Sequence, residues 1–231
     1  MNGMLCTMRY TAKRHYCWSP AIAYSVGLMV SDGCMQSDGR HLDLTSIDIE
    51  QLQNFSRAIG RKLPISAKQN KSNTDAYRIQ FSDVAYYDFL LDIGLTPRKS
   101  QTIGQLNIPD DYYSHFLRGL FDGDGTTYAF FDPRWKTSFL YYIGITSASK
   151  TFLEILSGRN TSLIGTVGKS IRSGKRAYIL TYGKRDSYKL YLAMYKDAGS
   201  LFLTRKRVKL EGFIKQNDDV IIQGNARVVE R

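Results

Sequence analysis

Apolar and polar positions change period repeatedly along this chain, and the same order of periods occurs twice. In residues 19–33, "SPAIAYSVGLMVSDG", the body "AIAYSVGLMV" is apolar nearly all round, which predicts a buried helix. Ser19 can cap it, and Pro20 suits the first helical position. "HLDLTS" (41–46) alternates as a strand does. "DIEQLQNFSRAIG" (48–60) places Leu52, Phe55 and Ile59 on one helical face, with Asp48 as the expected N-cap. In "AYRIQF" (76–81), Tyr77, Ile79 and Phe81 mark a half-buried strand, and "DVAYYDFLLDIG" (83–94) returns to helix.

The second half repeats this order. "LRGLFDGDG" (117–125) aligns with "SVGLMVSDG" (25–33) at Gly119/Gly27, Leu120/Leu28, Asp124/Asp32 and Gly125/Gly33, an offset of 124 − 32 = 92. "YIGITS", "SKTFLEILSG", "AYILTY" and "DSYKLYLAMYKDAG" follow in the same sequence of types. Thr45 to Ala76 and Thr146 to Ala177 are both 31 residues (76 − 45 and 177 − 146). Each half ends on a basic pair, Arg98-Lys99 and Arg205-Lys206. One spacing differs: Asp32 to Thr45 is 13 residues, but Asp124 to Thr146 is 22. A tight turn at Asp38-Gly39 is expected in the first hairpin and a longer excursion through "FDPRWK" in the second. The pattern predicts an α+β fold of two pseudo-symmetric αββαββα lobes, residues 1–108 and 109–231, with Pro109 opening the second and "TRKRVKLEGFIKQ" forming a further basic helix.

Composition narrows the partner. With 231 residues and 43% hydrophobic positions the chain can bury a core. Its net charge of +11 favours a polyanion, with nucleic acid first. The cysteines (Cys6, Cys17, Cys34) and histidines (His15, His41, His115) lack zinc-ligand spacing, and a sparse odd set suits a reducing compartment. The N-terminus has no apolar core of a signal peptide and no run is long enough to span a bilayer, so an intracellular protein without a membrane partner is expected.

The motif helices raise a physical question. Glycine inside a helix costs about 1 kcal/mol relative to alanine, and an aspartate at a helix C-terminus faces the negative end of the dipole. Small residues four apart, Gly27 with Ser31 and Gly119 with Gly123, permit two helices to touch backbone to backbone. Packing the two motif helices on each other would bring Asp32 and Asp124 together, where like charges repel. A divalent cation would offset this, and carboxylates with free main-chain carbonyls suit Mg²⁺. A plain Asp-Gly helix stop would explain one copy; two copies at matching places argue for chemistry.

These residues resemble the motif of the two-repeat, monomeric LAGLIDADG homing endonucleases: "LRGLFDGDG" closely, "SVGLMVSDG" more loosely, with Val30 in place of the first acid and Ser25 in place of the leading Leu. The resemblance implies paired motif helices, antiparallel sheets forming a DNA-binding saddle, and a metal-dependent double-strand break in a long asymmetric target with short 3′ overhangs. It implies Asp32 and Asp124 as catalytic metal ligands, helped by the backbone oxygens of Ser31 and Gly123, with Lys99 and Lys206 as the basic catalytic residues. Mg²⁺ is the expected ion, Mn²⁺ a substitute, and Ca²⁺ a supporter of binding without cleavage. Polar strand positions become candidate DNA contacts: Gln36, Arg40, His41, Asp43, Ser66, Lys68, Asn70, Arg78 and Gln80 in the first lobe, and Lys136, Lys169, Arg172, Lys175 and Arg176 in the second. Most of the aromatics are expected in the core, with Tyr128 and Trp135 as the exceptions. Double-stranded DNA is the expected partner, with no obligate protein partner. An intron RNA-binding maturase and a cleavage-inactive DNA-binding regulator on the same fold are the alternatives.

Overall fold

The computed structural model describes residues 15–69 and 75–229. Helix α1 (Pro20–Ser31) starts as its sequence requires: the Ser19 hydroxyl accepts from the Ile22 N–H at 3.2 Å, and Pro20 opens the first turn. Residues Ile22 through Val30 are all buried, as an all-round apolar helix must be. The chain then forms β1 (Gly33–Met35), β2 (His41–Ser46), α2 (Ile49–Ala58), β3 (Ser66–Gln69), β4 (Asp75–Ser82), α3 (Val84–Asp92) and a single turn, α4 (Lys99–Thr102). The second half forms α5 (Asp110–Asp124), β5 (Gly125–Asp132), β6 (Trp135–Ser147), α6 (Lys150–Ile164), β7 (Ser170–Ser173), β8 (Tyr178–Tyr182), α7 (Lys184–Tyr195) and the long α8 (Thr204–Val229). The result is α+β, with two four-stranded antiparallel sheets of equivalent order, β1-β2-β4-β3 and β5-β6-β8-β7.

One face of each sheet is covered by its lobe's helices. Leu42, Leu44 and Ile79 are fully buried in a core shared with Leu52, Phe55, Tyr86 and Leu90. Ile143, Ile145, Leu180 and Tyr182 take the same places with Leu153, Leu156 and Leu190. Between the lobes α1 and α5 meet backbone to backbone at their glycines. A β-carbon on Gly27 would sit 2.3 Å from the Phe116 carbonyl oxygen, and one on Gly119 would sit 2.1 Å from that of Tyr24. Glycine is required at both places because backbone, which cannot yield, occupies the space.

Three local expectations change. The nine extra residues of the second hairpin (22 − 13) form no excursion. They lengthen β5 and β6, which meet at a turn closed by Asp132, whose carboxylate accepts from the Arg134 N–H at 2.9 Å and from Nη2 at 2.9 Å. Alternating aromatic residues carry the strand pattern through the insertion. Helix α6 continues past Gly158 to end at Gly165 (φ +74°), because the buried Asn160 ties its last turns to the Tyr182 hydroxyl (2.9 Å) and the Tyr113 hydroxyl (2.7 Å). Asp48 stands at the N-cap of α2 but makes no capping hydrogen bond, since Arg205 holds its carboxylate at 2.8 and 2.6 Å.

That last contact belongs to an inter-lobe seam. The Thr204 hydroxyl donates to Glu50 at 2.5 Å, and Asn54 Nδ2 donates to the Phe202 carbonyl at 2.7 Å. The start of α8 is thus held by α2 of the other lobe.

Candidate functional site

The motif helices end side by side. Asp32 caps the C-terminus of α1 and Asp124 is the last residue of α5; both are partly exposed. Each acid faces a small hollow walled partly by the other helix: Asp32 shares one with Gly123 and Gln51, and Asp124 shares one with Ser31 and Lys99. A β-carbon on Gly123 would lie 2.9 Å from Asp32 Oδ2 and 1.9 Å from Ser31 Oγ. Gly123 therefore has to be glycine both for helix packing and for room beside the acid.

The lysines of the two basic pairs occupy matching positions. Lys206, 8% exposed, directs Nζ to three main-chain oxygens, Phe121 (2.8 Å), Gly123 (2.9 Å) and Gly125 (2.7 Å), which uses all three of its hydrogens. Lys99, 9% exposed, donates to the Gly33 carbonyl, the counterpart of Gly125. The neighbouring arginines turn elsewhere: Arg205 to Asp48, Arg207 to Glu211 at 2.7 Å, while Arg98 is exposed in a left-handed turn (φ +58°). It is the lysine of each pair that enters the site.

Burial sets the electrostatics. It pushes the Asp124 carboxyl up to about 6, with the Asp32 charge adding to the shift. Burial also raises Asp32, but the hydrogen bond from Gln51 and the charges of Lys206 and Lys99 oppose it. Burial lowers Lys206 to about 8 against the pull of the nearby acids, and lowers Lys99 too. Among the described residues Asp124 makes no side-chain hydrogen bond, and no three His, Cys, Asp or Glu side chains form a ready ion cage.

Three site residues lie outside the sequence reading. Gln51, 2% exposed, donates from Nε2 to Asp32 Oδ2 at 2.5 Å, and its Oε1 accepts from the Ser46 hydroxyl at 3.1 Å. Asp122 accepts from the Tyr24 hydroxyl (2.7 Å) and the Leu203 N–H (2.8 Å). Arg118, 1% exposed, holds the Met194 and Leu201 carbonyls, each at 2.7 Å. Asp122 and Arg118 together clamp the connector that delivers Lys206. A signal was present, since a charged residue inside the buried stripe of α5 needs a partner, but the partner lies about 80 residues away (201 − 118 = 83).

The open faces of the two sheets hold the expected strand positions. In the first lobe, Gln80, Ser66, Lys68, Gln36 and Arg40 are exposed and Arg78 is partly so. Arg40 and His41 flank Asp38 at the hairpin turn, where His41 pairs with Asp38. Asp43 departs from the expectation of a base contact. It is 6% exposed and its oxygens are engaged, by the Thr45 hydroxyl at 3.1 Å and by the Arg78 guanidinium. Asn70 lies outside the described residues, as does the side chain of Lys136 in β6. In the second lobe Lys169, Arg172, Lys175 and Arg176 are all exposed around β7 and the turn into β8. Tyr128 and Trp135 are exposed as expected, and they are joined by Phe130 and Ile179.

Comparison with known proteins agrees with this architecture. Residues 111–193 match the family model of the LAGLIDADG-like domain. No curated protein matches the chain by sequence. Among solved structures, the meganuclease I-AabMI bound to uncleaved DNA shares the fold at TM-score 0.61 and 12% identity, over 89% of this chain and 92% of that one. The homing endonuclease I-LtrWI bound to target DNA is similar at TM-score 0.57 and 11% identity, over 91% and 96%. Full-length DUF199/WhiA from Thermatoga maritima is similar at TM-score 0.56 and 12% identity, over 93% of this chain and 69% of that one.

Proposed function

We propose that this chain, which carries a LAGLIDADG-like domain at residues 111–193 and the LAGLIDADG two-lobe fold, is a DNA endonuclease that cuts both strands of a long asymmetric duplex site. The observation that carries the reading is the meeting of Asp32 and Asp124, each facing the other motif helix and each close to a buried lysine.

The residues fit a divalent cation. Each acid shares its hollow with the end of the opposite helix, Asp124 with Ser31 and Asp32 with Gly123, whose main-chain oxygens would add to a hard-oxygen set; that of Gly123 also accepts from Lys206 Nζ at 2.9 Å. Asp124, partly buried, without a side-chain hydrogen bond among the described residues and beside a second acid, is the kind of carboxylate a cation stabilises. Mg²⁺ held there would supply Lewis-acid activation of the scissile phosphate.

The chain's own groups have distinct parts in this reading. Gln51 fixes Asp32 through Oδ2 and leaves Oδ1 for the ion. Lys99 and Lys206 supply positive charge next to the developing phosphorane, and their burial strengthens it. Asp122 and Arg118 set the position of Lys206. Asp43 aims Arg78 at the groove instead of reading a base itself. Because the two open faces differ in sequence, the target is asymmetric.

Likeness to DUF199/WhiA supports a second reading, a DNA-binding protein of the same fold that does not cut. The retention of both acids and both lysines favours cutting. The deciding experiment incubates the protein with a randomised duplex library in Mg²⁺ or Ca²⁺ and sequences the ends. A single asymmetric site cut only in Mg²⁺, with 3′ overhangs, supports the endonuclease. Salt-sensitive retention of one duplex without cutting moves the weight to the second reading.

A further inference from the structure

The open faces of the two sheets differ in chemistry as well as in sequence. In the first lobe the face is polar: Asp43 pairs with Arg78, Lys68 Nζ donates to the Thr45 hydroxyl at 3.3 Å, and Gln80 is exposed beside them. In the second lobe the same face is aromatic and aliphatic. Tyr128 pairs directly with Tyr142 across β5 and β6, and their rings stack with centroids 5.0 Å apart and planes 11° apart. Phe130 stacks on Tyr142 as well, at 5.7 Å and 13°. Ile179 lies on the same face on β8. Tyr128, Phe130 and Ile179 are 41%, 44% and 37% exposed.

This patch is no leftover of the core, because the core side of the sheet is already filled by Tyr141, Ile143, Leu180 and Tyr182. Lys169, Arg172 and Arg185 border it, and none of the three is in an ion pair among the described residues. An apolar floor with a free cationic rim suits a partner whose outer edge is phosphate and whose inner edge is apolar.

The stacking also decides which edge. Tyr142 stacks nearly parallel with both Tyr128 and Phe130, and strand side chains stand roughly perpendicular to the sheet. The three rings therefore stand on the sheet and offer their edges to the groove. Unpaired bases stack on open aromatic faces. Ring edges and an isoleucine instead match the C5-methyl groups of thymine, the one apolar feature in the major groove of duplex DNA.

Resting on the duplex-cutting reading above, we infer that the second lobe recognises a thymine-rich half-site through methyl contacts to Phe130, Tyr128 and Ile179, while the first lobe reads its half-site by hydrogen bonds.

The test uses the full-length protein, Ca²⁺ and the duplex recovered by selection. Thymines of each half-site are replaced in turn by deoxyuridine, which removes the methyl and leaves every hydrogen-bonding group. Each critical replacement under the second lobe is expected to weaken binding roughly fourfold, the value of one buried carbon group. The loss at one or more of these thymines should disappear in Phe130→Ala, which alters an exposed side chain and should fold normally. It should persist in Gln80→Ala, and replacements in the other half-site should have little effect. A site bound and cut but indifferent to deoxyuridine would overturn the inference and leave the endonuclease standing. So would a methyl effect equal in both halves or unchanged at every thymine in Phe130→Ala. Preference for single-stranded RNA with loss in Phe130→Ala would also overturn it. Failure to bind any duplex would overturn the endonuclease reading itself.

Discussion

Gln51 Nε2 lies 2.5 Å from Asp32 Oδ2, and no equivalent contact exists at Asp124 among the described residues. The reason is a single residue. Gln51 is the third residue after the N-cap of α2 (51 − 48), and the third after the N-cap of α6 is Phe152 (152 − 149), which lines the hollow beside Asp124. The two halves of the site are thus built on one plan but differ in how firmly each carboxylate is held.

This difference predicts strand-selective damage. Gln51→Met should slow cutting at the Asp32 centre by about 10–100-fold, the usual effect of removing a residue that orients a metal ligand. Supercoiled plasmid carrying the target should then accumulate as a nicked circle. Equal slowing on both strands would show that the two centres are not separately built.

Asp124→Asn should leave duplex binding in Ca²⁺ intact and abolish double-strand cleavage in Mg²⁺. Wild-type-like cutting by this variant would sink the assignment of the site.

The same substitution carries a stability prediction. The native Asp124 carboxyl titrates at about 6, above the value of about 3.9 expected in the unfolded chain. Between those values the native state binds more protons than the unfolded state, so this group's effect on stability becomes unfavourable as pH rises through about 4–6. Without divalent ions, Asp124→Asn should be more stable than wild type at pH 7 by about 1–3 kcal/mol, and the gap should close near pH 4. Denaturant melts in EDTA at both pH values measure this. Mg²⁺ should stabilise wild type and not the variant.

Lys206→Met should lower the cleavage rate by about 100–1,000-fold with binding retained, since it removes a buried positive charge close to both acids. Asp122→Ala should give a milder loss of the same kind, because it frees the Leu203 N–H and loosens the connector that delivers Lys206. Single-turnover cutting compared with binding in Ca²⁺ separates these effects from unfolding.

Gly119→Ala should be among the most damaging single changes, at about 3 kcal/mol or more, because its new carbon meets the Tyr24 carbonyl, part of a helix backbone. Gly158→Ala is the control: nothing lies within 4 Å of a β-carbon there, and alanine in a helix should be neutral or stabilising by up to about 1 kcal/mol. Thermal melts of the pair test whether the motif glycines act through packing.

The repeat, the buried character of α1, the close packing at Gly27 and Gly119 and the two acids were all legible, because each is written in local spacing or in similarity between the halves. Single elements were harder. The strand pattern in "FDPRWK" was masked by Pro133 and Asp132, which read as a loop but close a tight turn. The Asp48 cap was right in position and wrong in partner, since its carboxylate is drawn off by Arg205, which lies 157 residues further along (205 − 48).

By itself the sequence determined the architecture and the pair of acids, since hydrophobic periodicity sets which faces are buried and an internal repeat sets what must be placed symmetrically. Only the tertiary structure decided which basic residue of each pair enters the site, that Asp43 serves Arg78, that Gln51 and not Phe152 can hold an acid, and that the second lobe bares aromatic edges. Those outcomes depend on side chains from segments far apart in the chain competing for the same donors and the same space. Spacing along one strand or helix carries no record of that competition.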